Sequence, residues 1–353
     1  MKKQTFVLIT LLLVINFNFS QINPNNIEIV RDNYGVPHIY GKTDAEVAYG
    51  LAWSHSEDDF KTIQQGYLAG NGLLSKHIGI KGAGADFLTQ LIESKETVDR
   101  LFNTLGPDFL KVAQAYAQGI NKYAELHPKE ILEKSLFPVT VKKMLRYSFL
   151  QLFISNEAGG LVSSIVSNNV PKPNPIKAEM NGSNTFAFNS IKTGKKETYL
   201  AINTHQPLDG PTSWYEAHLI SEEGTNIIGA TFAGAPTLLI GANQNLAWAH
   251  TVNYPDKADV FELEMHPTKK QHYLVDGKTY KLEKKQAKLF IKFLGVRFKI
   301  NKKYFTSIYG PTLKNKSGFY SIRTPSLFTI KSLEQWWRLN KANSFTEFYN
   351  ILK

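Results

Sequence analysis

A proline cluster near the middle of the chain constrains the fold more than any other feature of the sequence. Pro171-Lys172-Pro173-Asn174-Pro175 lacks an amide donor at three of its five positions, so it cannot lie inside a helix or a central strand. The residues before it show helical periodicity, and those after it form short strand-like runs. The cluster therefore predicts a linker between a helical half and a strand-rich half.

Helical signals dominate the residues before the linker. Thr43 and Glu46 have the spacing of a capping box, in which both side chains bond free amides at the start of a helix. Apolar residues at i, i+3, i+4 and i+7 between Phe109 and Tyr123 predict a second helix, and a third is expected over 141–154.

Strand signals follow one another closely after the linker. Alternating or β-branched runs bounded by turn residues predict strands at 185–189, 198–202, 217–220, 237–240, 246–252 and 260–265, after an earlier pair at 27–31 and 36–40. Asp276-Gly277 predicts a hairpin turn. Two last helices are expected over 332–340 and 344–352, without a capping signal.

The N-terminus has the pattern of a secretory signal. Two lysines follow Met1, an apolar run extends from Phe6 to Phe19, and Ser20 offers a small-residue exit, so residues 1–20 are predicted to be a signal peptide and the protein periplasmic or secreted. No later segment is apolar enough to predict a membrane span. The chain has no cysteine, which excludes disulfides, thiolate nucleophiles and cysteine metal sites.

Positive charge is concentrated in the C-terminal quarter. Residues 266–353 hold 19 Lys and Arg against 4 Asp and Glu, whereas the whole chain carries +11. No nucleic-acid motif accompanies the excess, so a solvated face or a docking surface is predicted, and nucleic acid is not expected as a partner. The basic residues are Lys284, Lys285, Lys288, Lys292, Arg297, Lys299, Lys302 and Lys303 among others.

The tripeptide Asn181-Gly182-Ser183 has three interpretations: a tight turn, a glycosylation sequon or a site of self-cleavage. If the Gly182-Ser183 bond were cut, the Ser183 hydroxyl would share its residue with a free α-amine. An α-amine titrates near 8, so it can take the hydroxyl proton at neutral pH. The residue pattern alone leaves the three interpretations open.

Other segments could contribute to the same site. His205 ends a predicted strand and is either a structural hydrogen-bonding residue or a side chain facing Ser183. The block Gly241 to Val252 could present a backbone amide as half of an oxyanion hole. Asp256 and Asp259 have a spacing that lets two carboxylates share a calcium ion, or they are solvated loop acids.

Taken together, these segments resemble the penicillin acylase family of N-terminal nucleophile hydrolases, and most closely its aculeacin A and acyl-homoserine lactone acylase branch. The blocks that carry the resemblance are "RDNYGVPHIYGKTDAEVAYGLAWSHSEDDFKTIQ" from Arg31, "NGSNTFAFN", "NTHQPLDGPTSWYEAHL", "GAPTLLIGANQNLAWAHTVN" and "YLVDGKTYKL". They occur in the family's order.

The resemblance implies a role for each matching position. Ser183 is the nucleophile, and Gly182-Ser183 is the self-cleaved junction. His205 matches a histidine that forms a hydrogen bond near the nucleophile, and Val252 matches the residue whose amide holds the oxyanion. A structural calcium ion would take Asp256, Asp259 and Glu157, whereas catalysis needs no cofactor.

The resemblance also implies the fold and the processing. We expect an α+β fold, the four-layer αββα sandwich of N-terminal nucleophile hydrolases, incomplete here, with a helical N-terminal half and a β-rich C-terminal half. The expected parts are the signal peptide 1–20, an α-chain region 21–165, a spacer 166–182 and the start of a β chain at 183–353. The family's second oxyanion donor, an asparagine, lies beyond the matching region.

The expected function is hydrolysis of a linear amide in a small acylated amine, such as a penicillin, a lipopeptide or an acyl-homoserine lactone. The α and β chains come from one precursor, and a separately encoded C-terminal half is a further expected partner. Two alternatives stay open: an inactive truncated fragment, and an exported binding protein without catalysis.

Overall fold

A computed structural model describes residues 21–156, 158–169, 182–253 and 255–353. The predicted signal peptide, Glu157 and residues 170–181 of the predicted spacer lie outside the described residues.

Most of the α-helices precede Ser183. The α-helices are α1 Asp44–Gly70, α2 Leu74–Ile78, α3 Ala83–Leu91, α4 Ser94–Leu101, α5 Pro107–Leu126, α6 Val141–Ser155, α7 Ala158–Val166, α8 Ser190–Thr193, α9 Ser332–Asn340 and α10 Phe345–Leu352. Short 3₁₀ turns occur at Pro24–Asn26, Gly79–Gly82, Phe102–Thr104, Pro128–Glu130, Lys134–Leu136 and Pro325–Phe328.

The strands lie mainly after Ser183, which confirms the predicted helical and β-rich halves. The strands are β1 Glu28–Arg31, β2 Pro37–Gly41, β3 Ser183–Phe188, β4 Tyr199–Thr204, β5 Trp214–Ser221, β6 Asn226–Phe232, β7 Ile240–Asn243, β8 Ala247–Trp248, β9 Asp259–Glu262, β10 Glu264–Met265, β11 His272–Val275, β12 Lys278–Lys281, β13 Glu283–Phe293, β14 Val296–Ser307, β15 Gly310–Lys314 and β16 Phe319–Arg323.

The helical core is built on α1 and α5. The predicted capping box starts α1: the Thr43 hydroxyl accepts from the Glu46 amide at 3.1 Å, and Glu46 Oε2 accepts from the Thr43 amide at 3.0 Å. The apolar stripe of α5 is buried, including Phe109 and Tyr116, as its periodicity predicts. Gly119 allows the close approach of α1, since a Cβ there would lie 2.7 Å from the Tyr49 carbonyl oxygen.

A six-stranded sheet, in the order β1-β2-β5-β6-β7-β8, packs one face on these helices. The parallel β2–β5 pair joins the part of the chain before the linker to the part after it, with Ile39 opposite Leu219. Ile39 and Leu219 are buried on the helical side, whereas Val30, Tyr40 and Ile228 on the other face are 47%, 40% and 48% exposed. A helical layer and one sheet of the expected αββα sandwich are therefore present, and none of the four described ranges covers the exposed residues on the sheet's second face.

Three smaller sheets complete the described structure. β3 pairs with β4 in a two-stranded sheet, β10, β11 and β12 form another, and β13-β14-β15-β16-β9 form a five-stranded sheet. The Asp276-Gly277 turn joins β11 to β12, as predicted. No single described helix is long and apolar enough to cross a membrane, although α6 and α7, bent by 76°, pass that test as a pair.

Two strand predictions and one helix prediction need correction. Residues 237–239 are not in a strand, because the Thr237 hydroxyl and the Leu238 amide bond to the Asn340 side chain instead of a neighbouring strand. The predicted strand 246–252 is reduced to Ala247–Trp248. The last helix is capped after all: the Ser344 hydroxyl accepts from the Glu347 amide at 3.2 Å.

Candidate active site

Ser183 is the first residue of β3, and its position is set by pairing with β4. Six antiparallel pairs run from Ser183 opposite Thr204 to Phe188 opposite Tyr199. Alternating β-forming residues on both strands favour this ribbon, and the short helix α8 between them begins where the Asn189 side chain accepts from the Lys192 amide. The register places the end of β4, and then His205, beside Ser183.

Two backbone groups hold the Ser183 hydroxyl. Oγ donates to the carbonyl oxygen of Gly182 at 2.7 Å, and it accepts from the backbone amide of His205 at 3.3 Å. The hydroxyl therefore lies against the very carbonyl group that it would attack in self-cleavage. The bond from the His205 amide holds Oγ in place, whereas the negative charge of such an attack develops on the Gly182 carbonyl oxygen.

The imidazole of His205 makes other contacts. Its Nε2 lies 2.7 Å from Asn203 Oδ1 and 3.3 Å from Asn184 Nδ2. Asn203 Oδ1 is the nearer atom and can only accept, so this contact favours a proton on Nε2. Nδ1 lies 3.7 Å from the point where a Cβ at Gly182 would be.

His205 was predicted to face the nucleophile with its side chain, but in the structure it contacts Ser183 Oγ through its backbone amide. Side chains alternate along a strand, so Thr204, which is opposite Ser183, and its neighbour His205 point to opposite faces. His205 contributes its backbone amide to Ser183 Oγ, whereas its ring lies beside the Gly182 end of the junction.

Two asparagines were missed by sequence reasoning. Asn184 and Asn203 lie directly opposite each other in the β3–β4 register and both contact the His205 ring. The available signal was the two-residue spacing of Asn203 and His205, which puts both side chains on one face of a strand. The Thr185 hydroxyl, on the Ser183 side, is buried and has no partner within the described ranges.

Val252 is not joined to Ser183 by any hydrogen bond between described residues. It lies after β8 in a segment without regular secondary structure, and its side chain is 40% exposed. Two residues earlier, His250 Nε2 accepts from Trp336 Nε1 at 3.1 Å, and burial lowers the pKa of His250. Contact with α9 thus fixes the start of this segment, and the oxyanion role of Val252 stays a prediction.

The structure describes only two of the three carboxylates predicted to bind calcium, so the calcium site stays a prediction. Asp256 and Asp259 are both exposed, and Glu157 is outside the described residues. No group of three or more His, Asp or Glu side chains that could hold a metal ion occurs in the described ranges.

One face of the β3–β4 ribbon carries large uncovered side chains. Phe186, Phe188 and Tyr199 are 57%, 45% and 51% exposed. They share this face with Asn184, Asn203 and the His205 ring. The Ser183 hydroxyl is on the opposite face of the ribbon, so this aromatic surface is one that further polypeptide could cover rather than part of the nucleophile's own pocket.

Comparison with known proteins gives a family match over almost the whole chain. Residues 26–353 match the family model described as "Penicillin amidase". The matched range contains both Ser183 and His205.

Curated relatives are similar at low identity. An acyl-homoserine lactone acylase PvdQ of Pseudomonas syringae pv. syringae (strain B728a) is 23% identical over 92% of this chain and 47% of the relative. PvdQ of Pseudomonas putida is 24% identical over 88% of this chain and 45% of that protein. An acyl-homoserine lactone acylase QuiP of Pseudomonas fluorescens (strain Pf0-1) is 22% identical over 90% and 46%. The chain spans about half the length of the curated relatives it matches.

Among solved structures, a thermostable penicillin G acylase from Alcaligenes faecalis in an orthorhombic crystal form is similar. It is 22% identical, with a TM-score of 0.35 over 39% of this chain and 25% of the acylase chain.

Proposed function

The chain belongs to the penicillin amidase family, and on that premise we propose that it is the nucleophile-bearing part of an exported amidohydrolase. Ser183 is the proposed nucleophile. The observation that carries the proposal is the position of Ser183 Oγ, which lies between the Gly182 carbonyl oxygen at 2.7 Å and the His205 amide at 3.3 Å.

The first proposed step is self-cleavage. Ser183 Oγ attacks the carbonyl carbon of Gly182, the Gly182–Ser183 C–N bond breaks, and the hydroxyl proton passes to the Ser183 nitrogen. The product is an ester between Gly182 and the Ser183 side chain. Water hydrolyses this ester and leaves a free hydroxyl and a free α-amine on Ser183.

The second proposed step is acyl transfer from the substrate. The α-amine of Ser183 takes the hydroxyl proton while Oγ attacks the substrate's amide carbonyl, and the amine product leaves with that proton. Water, activated by the same α-amine, then releases the acid. The His205 amide stays bonded to Oγ and orients it, so catalysis needs no cofactor.

The proposed substrate is an N-acylated small amine with an apolar acyl chain. Ile202 and Leu200, which share the Ser183 face of the ribbon and are partly exposed, support this class, because they offer apolar surface to an acyl group. Relatives whose names specify acyl-homoserine lactones make an acyl-homoserine lactone the first substrate to test.

We also propose that activity requires further polypeptide, in the same precursor or as a separate chain. The chain spans about 47% of the length of one PvdQ relative, and both the aromatic face of β3–β4 and the second face of the six-stranded sheet are uncovered. That polypeptide would supply the second oxyanion donor. Losing one such donor lowers the rate about 10²- to 10³-fold.

The test is hydrolysis by the protein purified from its own cells, so that any further polypeptide stays attached. Release of free fatty acid from an acyl-homoserine lactone, or of phenylacetate from benzylpenicillin, is followed by mass spectrometry. We expect Ser183→Ala to abolish release and Ser190→Ala, on the same hairpin, to preserve it. Equal release by Ser183→Ala and the unmodified protein would refute the assignment.

A further inference from the structure

A long β-ribbon in the basic C-terminal region has no part in the proposed catalysis. β13 and β14 pair over eleven positions, from Glu283 opposite Thr306 to Phe293 opposite Val296. Only the end of β14, Phe305 to Ser307, pairs with β15. The rest of the ribbon therefore extends beyond the five-stranded sheet to a two-residue turn, Leu294-Gly295.

The apolar tip, defined as Phe293, Leu294 and Val296, is exposed at this turn. The exposed fractions of these side chains are 61%, 87% and 57%. Leu294 also has a φ of 47°, the left-handed conformation for which a two-residue turn favours Asn, Asp or Gly. A leucine there is unfavourable both in backbone conformation and in exposure, which marks the position for a role beyond folding.

The basic face, defined as Lys288, Lys292, Lys299 and Lys303, lies along one side of the ribbon. The register places Lys288 opposite Asn301, Phe290 opposite Lys299, and Lys292 opposite Arg297, with Gln286 opposite Lys303. Alternation along both strands puts these side chains on a common face without any acidic residue. None of the four lysines forms an ion pair with a described residue; the neighbouring Arg297 pairs with Glu133.

The rest of the protein anchors the ribbon and adds positive charge beside it. Ala287, Leu289 and Ile291 of β13 are buried, and the Ser75 hydroxyl of α2 donates to the Phe290 carbonyl at 3.0 Å. Lys76 Nζ lies 5.5 Å from the Phe290 ring centre. Burial lowers the pKa of His77, and the nearby charges of Lys292 and Lys61 lower it further. β13 is thus held by the helical part almost to the turn, at Lys288, Phe290 and Lys292, and the exposed tip follows directly, with positive charge on its flank.

We propose that the apolar tip and the basic face dock the protein on an anionic phospholipid surface. Phe293, Leu294 and Val296 enter the interface between headgroups and acyl chains, and the four lysines keep their ammonium groups at the phosphates. Positive charge alone would serve nucleic acid or an acidic protein equally well. The exposed apolar turn at the end of the charged ribbon favours lipid, because only a bilayer offers phosphates and hydrocarbon at successive depths.

The absence of cysteine gives this proposal a clean probe. Leu294→Cys is labelled with an environment-sensitive fluorophore, and Asp276→Cys, at the exposed turn of the β11–β12 hairpin, is the matched control. We expect a blue shift for the Leu294 label with phosphatidylglycerol vesicles and none with phosphatidylcholine vesicles. No shift, or an equal shift at the Asp276 label, would overturn the proposal.

Two variants test the apolar tip and the basic face separately. Leu294→Asn suits the left-handed turn, so it should keep or raise thermal stability while it weakens cosedimentation with phosphatidylglycerol vesicles. Lys288→Gln with Lys299→Gln should lower the vesicle partition coefficient about 25-fold, since each surface lysine contributes about five-fold. Lys278→Gln with Lys281→Gln, on exposed β12, is the control with the same loss of charge and should have a smaller effect.

The same variants exclude the other partners. If Leu294→Asn binds vesicles as well as the unmodified protein does, the tip does not enter a membrane and the proposal fails. It also fails if the protein binds a DNA duplex through the basic face more tightly than it binds vesicles at the same salt concentration.

Discussion

The backbone amide of His205 donates to Ser183 Oγ at 3.3 Å, whereas the His205 ring bonds to Asn203 at 2.7 Å. The group that orients the proposed nucleophile is therefore independent of the side chain at position 205. The sequence suggested that the His205 imidazole would contact Ser183. In the structure the His205 backbone amide makes that contact instead.

This relationship predicts opposite results for two substitutions at His205. His205→Ala keeps the amide and should preserve most of the cleavage at Gly182-Ser183. His205→Pro removes the N–H that positions Oγ and should slow cleavage about 2- to 10-fold, the value of one ordinary hydrogen bond. Cleavage is measured as chain fragments over time after synthesis. Equal cleavage by both variants would show that the amide has no role, provided that both proteins keep the circular dichroism of the folded chain.

Asp44 joins the start of α1 to the C-terminal region, and its loss should lower stability in a pH-dependent way. Its carboxylate accepts from Ser221, Thr225, Trp337 and Lys341, the last at 2.6 Å. Burial alone would raise the pKa of Asp44, but the bonds from Lys341, Ser221 and Thr225 outweigh burial and lower it. Its stabilising contribution is therefore present above the unfolded pKa of about 4 and is lost as the pH falls through the lower folded pKa.

We expect Asp44→Asn to reduce the free energy of unfolding by about 2–3 kcal/mol at pH 7. The difference from the unmodified protein should shrink as the pH falls from about 4 through the lower folded pKa, where the Asp44 carboxylate takes up a proton. Urea unfolding at neutral and acidic pH measures it. A difference that is constant across this range would contradict the ionic role.

His55 should make folding sensitive to mild acid. Burial lowers the pKa of His55 to about 4, its Nδ1 is buried without a partner within the described ranges, and its ring stacks on Tyr215 at 3.9 Å. The unfolded histidine binds a proton near pH 6.5 and the folded one does not, so unfolding becomes easier as the pH falls between these values. This effect amounts to about 3 kcal/mol at pH 4. His55→Phe keeps a stacked ring and should remove that part of the pH dependence in urea unfolding; an unchanged slope would contradict it.

Two glycines in helices should respond oppositely to alanine. A Cβ at Gly119 would lie 2.7 Å from the Tyr49 carbonyl oxygen and 2.8 Å from Ala52 Cβ, whereas a Cβ at Gly84 would meet nothing within 4 Å. Gly119→Ala should destabilise by about 1–3 kcal/mol because α1 and α5 must separate. Gly84→Ala should stabilise by up to about 1 kcal/mol through helix propensity. Thermal unfolding of the pair tests the packing, and stabilisation by both would show that α1 and α5 can adjust freely.

Local patterns predicted the helices well. α6 and α9 occupy almost the predicted ranges, because each has its own apolar stripe, and the Thr43 capping box is a contact between near neighbours. The region 237–239 was predicted as a strand because its residues are apolar and β-forming. In the structure the Thr237 hydroxyl instead donates to Asn340, about a hundred residues away in the sequence. A local sequence pattern cannot predict such a distant contact.

In the candidate site, too, local patterns predicted some contacts and not others. The proximity of Ser183 and His205 could be predicted because Ser183 begins the first strand of a hairpin and His205 follows the end of the second. The Asn184–Asn203 contact with the His205 ring depends on register, which only the folded ribbon specifies. The parallel pairing of β2 with β5, which brings His38 opposite His218, is likewise set by packing on α1 rather than by either strand alone.

The most direct test of the central claim is intact-mass analysis of the protein purified from its own cells, with N-terminal sequencing of each chain. We expect two chains, the second of which begins at Ser183, and one uncut chain for Ser183→Ala. A single uncut chain in the unmodified protein, or a second chain that begins at any other residue, would contradict this expectation.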